Sequence, residues 1–157
     1  EVEEGADRQF LPDQEIKDGE TLRGNGWTLE AIHTPGHTSN HLCLAFQEEN
    51  IMFSGDHVMG WSTSVISPPD GHMGDYLASL EKLTSRTETR YWPTHGPAIE
   101  NPVPFVHSFI KHRREREEQI SACLDEGLSP SRIWSGKCMS MLTPACIVQP
   151  DVLCWPT

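Results

Sequence analysis

The sequence predicts an α/β fold, and three observations carry that expectation. Three short apolar runs, Trp27 to His33, Ile51 to Phe53 and Thr89 to Trp92, have the length and composition of strands. Each run ends on proline or glycine beside a side chain able to bind a metal: Thr34-Pro35-Gly36-His37-Thr38, Ser54-Gly55-Asp56 and Pro93-Thr94-His95-Gly96. Between the second and third runs, Tyr76, Leu77, Leu80 and Leu83 recur at helical spacing, so a helix alternates with the strands. A strand that runs into Pro-Gly must turn sharply, and the turn throws the next side chain off the sheet edge. Two imidazoles and a carboxylate presented in this way form a ligand set typical of zinc or another borderline divalent ion.

Taken in order, Glu1 to Arg8 is acidic and poor in apolar residues, which is expected of a mobile or truncated end. From Phe10 onward, Ile16, Leu22, Trp27, Leu29 and Ile32, separated by Asp18-Gly19 and Gly24-Asn25-Gly26, read as a meander of short strands leading into His33. Asn40 to Phe46 and Ile51 to Ser54 form the next antiparallel pair, turned by Gln47-Glu48-Glu49-Asn50. Val58 to Gly71 is rich in Gly, Ser and Pro with no sustained period, hence a loop; leaving directly from Asp56, it is expected to wall a substrate pocket. A helix starts at Gly74-Asp75. Pro97 and Pro102-Val103-Pro104 then carry the chain round to a second helix, Phe105 to Glu126. The apolar stripe of that helix is Val106, Phe109, Ile110, Ile120 and Leu124, and Arg113 with Glu117 and Arg114 with Glu118 are expected as ion pairs on its wet side.

A chain of 157 residues can bury about 70% of its unfolded surface if it is complete. Its net charge of −11, from 12 basic and 23 acidic residues, repels nucleic acid and anionic membrane. No apolar run of membrane-spanning length occurs and the acidic start is unlike a signal peptide, so a cytoplasmic location is expected. Cys43, Cys123, Cys138, Cys146 and Cys154 contain no CxxC pair, which argues against a disulfide framework and against a thiolate zinc site.

The ordered motifs TPGHT, SGD and THG, with a helix between the last two, resemble the second half of the metallo-β-lactamase-fold hydrolases. The flanking segments SGDHVMGWSTSV, SPPDG, MGDYLASLEKL and YWPTHGPAIENP are similar to the lactamase-beta-2-like, glyoxalase II-related branch. The resemblance covers roughly residues 9–128. It implies an αββα sandwich, of which the C-terminal half is present here. It also implies two zinc ions, with iron or manganese as substitutes, and a role for each ligand: His37 completes the first site, Asp56 bridges the ions and positions the attacking hydroxide, and His95 completes the second site. The family's opening HxHxDH motif does not occur in these residues, so an upstream half is expected. His57 and His41 lie close enough in sequence to the ligands to orient them, and Trp61 belongs to the pocket loop. For His33, His72, His107 and His112 the ordinary reading, a surface or hydrogen-bonded side chain, stands.

The implied activity is hydrolysis of a small ester or thioester by hydroxide that the metal supplies. The alternatives are a metal-dependent endoribonuclease, for which a missing half would have to provide the basic groove, and a non-catalytic fragment. By itself the chain, lacking most ligands and half the sandwich, is expected to bind metal weakly, to be inactive, and to be stable only marginally or as a homodimer. Ser129 to Thr157 belongs to another composition class, with three of the five cysteines and a single acidic residue, Asp151. It reads either as an irregular tail or as the frameshifted remnant of a winged-helix-like segment.

Overall fold

The computed structural model describes residues 11–127, so the expectations for residues 1–8 and 129–157 lie outside the described residues. Six strands form one sheet: β1 (Thr21–Gly24), β2 (Trp27–His33), β3 (Leu42–Phe46), β4 (Ile51–Gly55), β5 (Arg90–Pro93) and β6 (Ile99–Glu100), in spatial order β1-β2-β3-β4-β5-β6. Helix α1 (Met73–Thr84) connects β4 to β5, and α2 (Pro102–Asp125) follows β6. Every neighbouring pair is antiparallel except β4 and β5, which are parallel and therefore need the α1 crossover.

That pattern positions the site. Two antiparallel steps, β2 to β3 to β4, return β4 to the direction of β2, and β5 runs parallel to β4. The C-terminal ends of β2, β4 and β5 therefore emerge at one edge of the sheet, and those ends carry the TPGHT, SGD and THG turns.

Alternation along the strands divides the sheet into two faces. One bears Ile32, Cys43, Ala45, Met52 and Tyr91, buried under Tyr76, Leu80 and Leu83 of α1 and Phe105, Val106, Phe109 and Ile110 of α2. At about 1.5–3 kcal/mol for each large apolar side chain removed from water, this cluster is the main favourable term in the fold. On the other face Phe53 lies in register with Trp92 and both remain exposed, so among the described residues that face has no covering layer. Beside the helices, Arg86 bridges Glu30 of β2 (3.0 Å) and the buried carboxylate of Glu88, fastening the end of α1 to the sheet.

Five expectations need correction. No strand forms around Ile16: Asp18 Oδ1 accepts the His33 backbone N–H at 2.7 Å and the Lys82 Nζ at 2.9 Å, so a side chain takes the amide that a strand neighbour would have used. Pro102 and Pro104 do not precede α2 but lie in its first turn, where an amide N–H has no partner to lose and the fixed φ of proline suits the helix. Ile120 and Leu124 are exposed, since the buried stripe of α2 ends with Ile110. Arg113 is not a solvent-facing partner of Glu117. It falls four residues after Phe109 and three after Ile110, which puts it on the buried stripe, over the ring of Tyr76 at 5.6 Å. Arg114 reaches Glu81 of α1 at 2.5 Å rather than Glu118.

Candidate metal centre

The turn after β2 is built around close packing. Thr34 is buried, with Oγ1 2.8 Å from His41 Nδ1 and 3.3 Å from Cys43 Sγ. The Gly36 carbonyl accepts the His72 N–H at 2.9 Å, and Ser79 Oγ donates to the Pro35 carbonyl at 2.8 Å, so α1 docks directly on the Pro-Gly turn. The next side chain, His37, leaves that dock with Nδ1 2.6 Å from the Val65 carbonyl. A carbonyl can only accept, so Nδ1 carries a proton, which leaves Nε2 as the nitrogen able to donate an electron pair. That Nε2 lies 3.8 Å from Asp56 Oδ2.

Asp56 follows the end of β4, where the Thr94 N–H donates to the Gly55 carbonyl at 3.1 Å and ties the β4 and β5 exits together. His95 is steadied by the Gly60 N–H, which donates to its carbonyl at 2.8 Å, and by Trp61, which lies over its ring with 11° between planes and centroids 6.2 Å apart. His95 Nε2 stands 3.5 Å from Asp56 Oδ1. One carboxylate oxygen thus faces each imidazole. Oδ1 is also buried and has no hydrogen-bond donor, a costly condition for a carboxylate unless a cation meets it.

The residues fit a metal on these grounds. Nitrogen and oxygen ligands around a tetrahedral zinc lie about 3.4 Å from one another, close to both separations seen here. The three side chains meet pairwise through Asp56 and do not converge on one point. In keeping with that, no group of three or more His, Cys, Asp or Glu among the described residues could hold an ion by itself.

Residues 2–95 match the sequence profile of the metallo-β-lactamase superfamily. The chain belongs to this superfamily. It is 42% identical over 111 residues to a β-lactamase-like protein 2 homolog of Caenorhabditis elegans, covering 71% of this chain and 36% of the relative. It is 36% identical over 119 residues to an atrochrysone carboxyl ACP thioesterase of Emericella nidulans, covering 76% and 38%. Among solved structures it superposes on a metallo-β-lactamase family protein of Thermus thermophilus, TTHA1429, with a TM-score of 0.60 and 26% identity, over 70% of this chain and 38% of that one. It also superposes on TTHA1623 in a di-iron-bound form, with a TM-score of 0.50 and 29% identity, over 59% and 46%. The chain therefore spans little more than a third of the length of these curated relatives. Its sheet and two helices are the fold it shares with the solved neighbours, and the superfamily's divalent-metal chemistry is represented among them by the iron pair.

The other residues singled out by the sequence lie around these three side chains. His41 sits edge-on to His37, centroids 6.5 Å apart, and its Nδ1 is held by the Thr34 hydroxyl; burial, followed by the neighbouring His37, lowers its pKa. His57 is fully buried between His41 and Tyr76, at centroid distances of 5.5 and 4.7 Å, with no hydrogen-bond partner on either ring nitrogen. Burial pushes its pKa down to about 3, so the ring is neutral at physiological pH. It is the His57 carbonyl, not the ring, that joins the network, accepting from Tyr76 OH at 3.1 Å. Among the described residues no helix is long and apolar enough to cross a membrane.

Sequence reasoning missed Ser64, Val65 and Arg113. Buried Ser64 directs Oγ toward the Asp56 and His57 carbonyls, Val65 holds His37, and Arg113 donates to the Ser64 carbonyl. The loop has no periodicity to flag the first two. Arg113 did have a signal, its spacing from Phe109 and Ile110.

Proposed function

We propose that these residues carry part of the metal centre of a hydrolase that cleaves an ester or thioester. The observation that carries this reading is the Asp56 carboxylate, set between the imidazoles of His37 and His95 with a buried oxygen that lacks a donor. In this reading His37, Asp56 and His95 would hold the metal, and Asp56 could be shared between two ions, because a carboxylate has two oxygens to offer where an imidazole has one nitrogen at a time. Zinc suits the mixed imidazole and carboxylate donors, and iron suits them as well, as the di-iron neighbour supports. The remaining ligands come from sequence outside these residues, so the isolated chain binds metal weakly and does not turn over substrate.

A divalent ion held here would make water ionisable near neutral pH and would polarise a substrate carbonyl. The chain's own side chains prepare for that chemistry. The Val65 carbonyl fixes which His37 nitrogen is free, Asp56 sets the spacing between the two imidazoles, and Trp61 supplies an apolar wall over His95. The likeness to a carboxyl ACP thioesterase supports a thioester as the bond attacked.

The test is hydrolysis of an acyl thioester by the longest gene product that contains these residues, loaded with zinc or iron. Activity is expected to need the metal and to fall to background in Asp56→Asn. Metal-independent hydrolysis, or an Asp56→Asn variant with full activity and full metal content, would overturn the reading.

A further inference from the structure

We propose that Arg113 is a positioning residue for the metal ligands, acting from helix α2 through the Ser64-Val65 dipeptide. This rests on the reading of His37 and Asp56 as ligands. The two residues of the dipeptide touch both of them: the Val65 carbonyl accepts from His37 Nδ1 at 2.6 Å, and Ser64 Oγ bonds the Asp56 carbonyl and lies 3.2 Å from that of His57. What holds the dipeptide is Arg113, whose Nη2 donates to the Ser64 carbonyl across 49 positions of sequence. Tyr76 completes the brace, with its ring under the guanidinium and its hydroxyl on the His57 carbonyl. His37 and the backbone of Asp56 are thereby tied to one strap that Arg113 anchors to α2.

Packing alone is a poor account of this arginine. Its Nε is buried with no hydrogen-bond partner, and burial works against its charge. A carbonyl and an aromatic face offset only part of the cost of desolvating a guanidinium. If the position served stability alone, an unbranched apolar side chain would serve as well or better. The guanidinium does what such a side chain cannot: it fixes a backbone carbonyl, and so the register of the loop that sets the donor nitrogen of His37. Partners that orient a ligand in this way typically account for about 10- to 100-fold in metal affinity.

The experiment compares wild type, Arg113→Met, Arg113→Lys and Ser64→Ala in three measurements. These are the protonated nitrogen of His37 in the metal-free chain, from long-range proton–nitrogen spectra, the zinc dissociation constant, and the thermal midpoint. The wild-type ring is expected to carry its proton on Nδ1. Arg113→Met and Ser64→Ala are expected to mix the two tautomers and to weaken zinc binding about tenfold. Arg113→Met is expected to do so with little change in midpoint, and Arg113→Lys, which keeps a donor, to recover most of the affinity. Should Arg113→Met fail to fold, Ser64→Ala and Arg113→Lys decide. An unchanged His37 tautomer and unchanged zinc affinity in Arg113→Met and Ser64→Ala, or in Ser64→Ala where Arg113→Met does not fold, overturn the strap while leaving the hydrolase reading intact. A tautomer that shifts in the variants, where the longest gene product containing these residues binds neither zinc nor iron, upholds the strap and removes the hydrolase reading.

Discussion

Gly36→Ala is expected to destabilise the chain by about 4–8 kcal/mol, through terms that can be separated. A methyl group at this position would lie 2.3 Å from the Cα and 2.4 Å from the backbone nitrogen of Tyr76. Carbon atoms in contact sit about 3.5–4.0 Å apart, and a helix backbone cannot rotate aside as a side chain can. Relief requires α1 to back away from the turn, which strains the bonds from His72 N–H to the Gly36 carbonyl and from Ser79 Oγ to the Pro35 carbonyl, each worth about 1 kcal/mol. Overpacking adds about 1–3 kcal/mol. The backbone itself, at a φ of +136°, adds about 1–3 kcal/mol more for any residue with a Cβ. Gly19→Ala is the control, because its φ is +78° and nothing lies within 4 Å of the added methyl. It carries the backbone term alone, about 1–2 kcal/mol. Urea unfolding followed by tryptophan fluorescence measures both. If Gly36→Ala loses no more stability than Gly19→Ala, the close docking of α1 on the Pro-Gly turn is wrong, and with it the account of how His37 is aimed.

Arg86→Ala leaves the buried Glu88 carboxylate without its cation and should lower stability by about 2–3 kcal/mol in the same urea assay; Arg86→Lys should recover only part, since an ammonium cannot serve Glu30 and Glu88 together as the planar guanidinium does. Tyr76→Phe removes a buried donor from the His57 carbonyl and should cost about 1 kcal/mol, or about 2–4 °C in thermal midpoint. Burial pushes the Cys43 thiol up to about 12 from 9.0, so the unfolded chain ionises first as pH rises and stability is lost above about pH 9. Relative to Cys43→Ala, wild type should lose about 2 kcal/mol more on going from neutral pH to about pH 10.5. A parallel pH dependence in the two proteins would sink that assignment. In the native state Cys43 should also resist alkylation, read by peptide mass spectrometry, until the chain is unfolded.

What could be read from the sequence and what could not divide along sequence separation. That His37, Asp56 and His95 meet at one edge of the sheet was legible because their signal is local: a strand-length apolar run, then a small residue that forces a turn, then a donor. The core faces of α1 and of the first half of α2 were legible from their 3.6-residue period. The segment around Ile16 was misread because an Asp side chain, not a strand, satisfies the end of β2. Ile120 and Leu124 continue the apolar period of α2 past the point where there is sheet to cover them. The support of the ligands was not legible at all. It runs through contacts 28 positions apart, from His37 to Val65, and 49 apart, from Ser64 to Arg113, inside a loop that has no period.

That division has a consequence for how the site responds to change. A ligand identified by its turn tells which atom can bind a metal, but the orientation of that atom is stored elsewhere. Here it is stored in a backbone carbonyl of Val65 and a hydroxyl of Ser64, neither of which would be singled out by residue type. Backbone carbonyls are blind to their own side chain, so Val65 tolerates substitution as long as the loop keeps its course, and Val65 is in any case exposed. Ser64 and Arg113 do not share that tolerance, because each acts through a side-chain atom aimed at the backbone. The same loop therefore contains adjacent positions of opposite sensitivity, and the difference follows from which atom of each residue makes the contact.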